Sequence, residues 1–145
     1  MQKITPFMWF DGKAQEAARF YTSIFKNSKI ESITDMSATF QVDGQEFIAF
    51  NGGPMFTFSP AISLFVKCET QPEIDELWEK LSEGGEKQRC GWLKDKFGVS
   101  WQIIPPILGE FLNGDDDAKS KRVMEAMLQM DKIDIAHLKQ AYQQA

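Results

Sequence analysis

The sequence predicts an α+β chain made of two βαβ-type modules followed by helices, and three observations carry that prediction. Apolar runs of strand length alternate with stretches of helical period, and turn residues separate them. A faint internal repeat relates the two halves. Setting Pro6 against Ser63 brings Phe7 onto Leu64, Trp9 onto Val66, Ala17 onto Ile74, Phe20 onto Leu77, Tyr21 onto Trp78 and Ile24 onto Leu81. Finally, Pro105-Pro106 closes the strand-rich region, and cap-like acidic residues follow it.

The elements follow in order. Ile4–Phe10 is an apolar, aromatic run bounded by Asp11-Gly12 and reads as a buried strand. Asp11 is expected to cap a helix reaching about Phe25, with Ala14, Ala17, Ala18, Tyr21, Ile24 and Phe25 on one face. Three short strands follow, Lys29–Ser37, Ala38–Val42 and Glu46–Asn51, the last two joined by the hairpin signal Asp43-Gly44. Asn51-Gly52-Gly53-Pro54 breaks the chain and reads as the turn between modules, since no Gly-Lys-Ser/Thr makes it a phosphate loop.

Ala61–Cys68 alternates as a strand. Thr70-Gln71-Pro72-Glu73 is a capping box that opens a helix with the stripe Ile74, Leu77, Trp78 and Leu81, and Gly84-Gly85 closes it. Strands Gln88–Lys94 and Val99–Ile104 flank the turn Asp95-Lys96-Phe97-Gly98. Beyond the prolines, Asp115-Asp116-Asp117 marks a helix N-terminus. Val123, Met124, Met127, Leu128 and Met130 form that helix's expected apolar face, for core or dimer packing. Asp134 caps a last helix carrying Ile135, Leu138 and Tyr142.

A chain of 145 residues, 43% hydrophobic and 26% charged, has the size and composition of a single globular domain, 1–145. No apolar run approaches the ~18 residues of a membrane span, and Met1–Pro6 lacks a signal peptide's apolar stretch, so a cytoplasmic protein is expected. A net charge of −5 opposes broad contact with nucleic acid or an anionic membrane and would tolerate a neutral or cationic ligand. Twelve Phe and four Trp suit a core or cleft of aromatics. Cys68 and Cys90 read as free thiols. His137 has no histidine partner and reads as a solvated helix position.

Five stretches share a pattern: Trp9-Phe10-Asp11-Gly12-Lys13-Ala14-Gln15-Glu16-Ala17-Ala18-Arg19-Phe20-Tyr21, Asn51-Gly52-Gly53-Pro54, Cys90-Gly91-Trp92-Leu93-Lys94-Asp95, Ser100-Trp101-Gln102 and Lys132-Ile133-Asp134-Ile135. Together they resemble the PhnB-like proteins, the 3-demethylubiquinone-9 3-methyltransferase-like domains of the vicinal oxygen chelate superfamily. That superfamily also holds glyoxalase I, extradiol dioxygenases and the fosfomycin- and bleomycin-resistance proteins. The resemblance implies two βαβββ modules, here 4–53 and 61–105, with C-terminal helices over 107–143. It also implies a cleft between curved sheets and a homodimer. Where the superfamily's metal enzymes carry His or Glu, this chain has Pro6, Ser63 and Gln102. None of these suits a divalent transition metal, so no metal and no cofactor are expected.

The expected ligand-binding residues are Met8, Asn51, Ser63, Trp92 and Gln102. Strand alternation puts Ser63 and Gln102 on one sheet face and turns Leu64, Trp101 and Ile103 toward the helices. Trp92 and Lys94 would stack on or charge-pair with a ligand, or else serve as structural or surface residues. Cys90, between Arg89 and Gly91-Trp92, reads as a packing strand residue, because no base stands beside it in sequence. No strand–Gly-x-Gly–helix unit is present, which argues against methyl transfer from S-adenosylmethionine. The expected function is therefore binding of a small organic molecule. The alternative is an atypical, non-metal enzyme of the same superfamily, and catalytic residues stay unassigned.

Overall fold

The computed structural model describes residues 2–144. Met1, part of the Met1–Pro6 segment read above, and Ala145 lie outside the described residues. The chain folds as two compact units, Met1–Phe58 and Ser59–Ala145.

In the first unit β1 (Phe7–Phe10) leads into α1 (Ala14–Ile24), followed by β2 (Lys29–Ile33), β3 (Ser37–Val42) and β4 (Gln45–Asn51). The sheet order is β1-β4-β3-β2, with β1 parallel to β4 and the remaining pairs antiparallel. Asp43 and Gly44 both take positive φ, the conformation a two-residue hairpin turn needs. The register sorts the side chains. Met8, Phe10, Ala38, Phe40, Val42, Phe47 and Ala49 share a buried face. Tyr21 of α1 stacks on Phe40, which places α1 on that face.

The second unit repeats the plan with β5 (Ser63–Lys67), α2 (Gln71–Ser82), β6 (Glu86–Lys87), β7 (Trp92–Lys94) and β8 (Ser100–Ile104) in the order β5-β8-β7-β6. Thr70 accepts a hydrogen bond from the Glu73 amide, so it caps the helix as read, while the Glu73 carboxylate reaches back one residue further, to the Glu69 amide. Ile74, Leu77, Trp78 and Leu81 are all buried. Asp95 organises the β7–β8 turn. One carboxylate oxygen accepts from the Phe97 and Val99 amides at 2.8 and 3.0 Å, and the other from the Trp101 indole N–H at 2.9 Å.

Helices α3 (Pro106–Leu112), α4 (Asp117–Leu128) and α5 (Ile135–Gln143) complete the second unit. They close a core of Ile104, Leu108, Val123, Met130, Ile133 and Leu138. Asp116 and Asp134 cap α4 and α5. Two further ties hold these helices to the rest of the unit. The Cys90 and Gly91 amides donate to the Met130 and Asp131 carbonyls. The Gln71 side chain donates to the Ile133 carbonyl and accepts from the Ile135 amide.

Four element expectations are corrected. The first strand starts at Phe7 rather than Ile4. Helix α1 starts at Ala14, with Lys13 rather than Asp11 in the cap position and no cap from that side chain. The Gln88–Lys94 strand is interrupted: Cys90 and Gly91 take positive φ and turn their amides to the 130–131 segment, so β6 and β7 are separate. On α4 only Val123 is fully buried, while Met124 and Leu128 remain exposed.

Candidate functional site

Each sheet has one face under its helix and one face turned away, and the second kind can meet a ligand. In the second unit β5 and β8 pair Ser63 with Ser100, Leu64 with Trp101, Phe65 with Gln102 and Val66 with Ile103. Strand β7 adds Trp92 opposite Gln102 and Lys94 opposite Ser100. Trp101 and Ile103 are buried, 3% and 0% exposed, so Leu64, Val66, Trp101 and Ile103 form the packed side. The other side reads as two rows across the strands, Ser63–Ser100–Lys94 and Phe65–Gln102–Trp92, and beyond them Ile104, opposite Lys67, is buried in the core of the C-terminal helices.

One hydrogen bond links the two rows. The Gln102 side-chain amide donates to Ser63 Oγ at 2.9 Å, which leaves the Ser63 hydroxyl proton free to donate elsewhere. Ser100 is 1% exposed, and its hydroxyl has no hydrogen-bond partner among the described residues. Phe65, by contrast, stands 54% exposed on the edge strand. An apolar wall with a few convergent polar groups is the usual composition of a small-molecule site.

The open face of the first unit differs in chemistry. Phe7, Trp9, Ile48 and Phe50 share it by register. Trp9 meets Phe50 and Phe56 edge-on, with ring centroids 5.5 and 5.0 Å apart, and Phe7 lies 5.4 Å from Phe50. The Trp9 indole N–H donates to the Gly53 carbonyl. Gly52 lies directly against the ring, where a Cβ would come within 2.2 Å of the indole.

Three of the five expected residues, Ser63, Trp92 and Gln102, therefore stand together on the open face of the second sheet. Two do not, and this corrects the reading. Met8 is 7% exposed on the face under α1. The Asn51 side chain caps α1, accepting from the Ala14 amide at 2.8 Å and donating to Gln15 Oε1 and the Asp35 carbonyl. The cause is a phase difference. The internal repeat aligns the helices, but its strand pairs Phe7–Leu64 and Trp9–Val66 join an open-face residue to a packed one. Side chains alternate with period two, so a one-residue slip exchanges the faces. Trp9, Phe50 and Phe65 were the residues missed. The exchange of Phe and Trp for small or polar residues on one face was the only signal for them.

The fold now has its relatives. The sequence profile described as 3-demethylubiquinone-9 3-methyltransferase matches residues 2–104. A structure from Bacillus cereus, described as "putative 3-demethylubiquinone-9 3-methyltransferase, PhnB protein", is 42% identical. The match covers 72% of this chain and 99% of that one at a TM-score of 0.68. The chain belongs to this family. A Pseudomonas aeruginosa protein, PA1353, shares the fold at 21% identity and TM-score 0.58, over 71% of this chain and 96% of its own. The fosfomycin resistance protein FosX of Mesorhizobium loti does so at 12% identity and TM-score 0.56, over 77% and 98%. The family fold is thus the vicinal oxygen chelate fold, α+β with paired βαβββ modules. We find no match among curated proteins. The family match ends at Ile104, two residues before α3 begins.

The superfamily's metal does not fit this chain. The resemblance sets Ser63, Gln102 and Pro6 at its ligand positions, but a serine hydroxyl and a glutamine amide bonded to one another are poor ligands, and a proline side chain offers no donor atom. Among the described residues no three His, Cys, Asp or Glu side chains come together as a metal ion requires. The buried Cys68 thiol is held protonated rather than activated. Burial, with Glu73 adding to it, pushes the Cys68 thiol up to about 12.

Proposed function

We propose that this chain binds a small organic molecule through the open face of its second sheet, without a metal or cofactor. One observation carries this reading. Gln102 and Ser63, which the resemblance sets at metal-ligand positions, form a hydrogen-bonded pair beside Trp92, Phe65 and a Ser100 hydroxyl unpaired among the described residues. Methyl transfer is not part of the reading, because the two small mixed sheets contain no doubly wound nucleotide-binding unit. Neither nucleic acid nor a membrane is a partner in it, and among the described residues no helix is long and apolar enough to cross a membrane. The reading places the chain in the cytoplasm, where two free cysteines persist as thiols.

The test is native mass spectrometry of the purified protein with a fragment library screened by NMR. Gln102→Ala is expected to weaken the molecule found by about 0.5–1.5 kcal/mol, the worth of one buried hydrogen bond, while leaving the fold intact. An unchanged affinity would remove Gln102 from the site.

A further inference from the structure

The face just described carries a lysine whose charge no group among the described residues answers. Resting on the proposed small-molecule reading, we infer that the ligand is an organic acid: an oxyanion head received by Lys94, Ser100 and Ser63, on a flat apolar body held against Trp92 and Phe65. Lys94 stands next to Ser100 in the register and makes no ion pair among the described residues. Glu86 is its partner on β6, but the Glu86 carboxylate takes a contact from Gln88 instead. The remaining donors point to the same chemistry. Ser63 accepts from Gln102 and keeps its own proton to give, and the Ser100 hydroxyl is buried without a partner among the described residues.

A buried unpaired hydroxyl is unfavourable in the free protein, so a ligand oxygen that reaches it gains more than it would at an exposed serine. The Lys94 side chain, half-buried and unpaired, has the rotamers to turn aside and then close on the anion. Three donors in one register row across neighbouring strands suit an acceptor-only oxyanion better than an ammonium group. The overall charge of −5 slows the approach of an anion at long range but does not decide the local partner.

Benzoate, benzamide and benzylamine share a body and differ in the head group, so they separate this inference from the reading beneath it. In titrations followed by 1H–15N NMR, benzoate is expected to shift the amides of Ser63, Trp92, Ser100 and Gln102, and to bind about tenfold more tightly than benzylamine. Lys94→Gln should lose about that factor. Ser100→Ala should weaken benzoate while leaving the thermal midpoint equal or higher, because it removes an unsatisfied hydroxyl. A merely structural serine would not give that opposed pair. Benzylamine or benzamide shifting the same amides as strongly as benzoate overturns the acid and leaves the small-molecule reading standing. Shifts from none of the three also overturn the acid, and only silence across the fragment library then overturns the reading itself.

Discussion

At the scale of single residues, the two sides of β8 separate binding from stability. Gln102 faces the open side, whereas Trp101 is buried and gives its indole N–H to Asp95. Trp101→Ala is expected to cost roughly 3–5 kcal/mol in urea unfolding followed by circular dichroism, through the cavity left and the stranded carboxylate. Gln102→Ala should cost little by the same measurement. The inverse pairing would mean that the faces are exchanged. Cys68 gives a second test. Its thiol, pushed up to about 12 from an ordinary 9.0 by burial and then by Glu73, keeps its proton in the folded chain where the unfolded chain has lost it. This contribution to stability is complete below pH 9 and is lost as pH rises toward 12, by at most about 1.4 kcal/mol per pH unit. Between about pH 9 and 10.5, Cys68→Ala should lose stability less steeply than the parent, and parallel curves would refute the assignment. The polar pair Ser63–Gln102 was legible because alternation within each strand suffices to find it. Asn51 was not, because its partners at Ala14 and Gln15 are distant in sequence and become neighbours only through the parallel pairing of β1 with β4.

At the scale of elements, helix α1 depends on that distant asparagine. Lys13 offers no cap, and Asn51, at the end of β4, satisfies the first helical amide in its place. Asn51→Ala should therefore destabilise the chain by about 1 kcal/mol, in the range of a lost N-cap. It should also speed hydrogen exchange at Ala14, whereas unchanged exchange there would exclude the capping role. Helices with sequence-local caps, Thr70, Asp116 and Asp134, were readable residue by residue. The break between β6 and β7 was not. Nothing in Gln88-Arg89-Cys90-Gly91 announces that the amides of Cys90 and Gly91 serve the segment that follows α4. The same distance hid the exposure of Met124 and Leu128, which have helical spacing but face away from the core around Val123.

At the scale of the whole chain, the fold class was legible because the βα units repeat and the turn residues punctuate them, and because the family motifs span both modules. The quaternary state is a proposal. Strands β1 and β5 are sheet edges that carry Phe7 and Phe65, 59% and 54% exposed. Apolar edge strands are usually covered, and a second copy of the chain is the simplest cover. Analytical ultracentrifugation is expected to give twice the mass of one chain, with Phe65→Lys shifting the protein toward the monomer. A monomer at high micromolar concentration would overturn the dimer.

The one-residue phase difference between the two βα units bears on which sequence changes the fold can accept. The connection into α1 contains Gly12 at a φ of +72°, while the connection into α2 has no residue of positive φ. A left-handed residue lets the chain enter α1 from the opposite pleat. An insertion or deletion of one residue in either connection would therefore do more than alter a loop. It would transpose a whole strand, carrying Trp9 into the core or Val66 out of it. Substitutions on an open face can accumulate singly, but length changes at Asp11–Lys13 or Cys68–Thr70 should be tolerated only in pairs of residues.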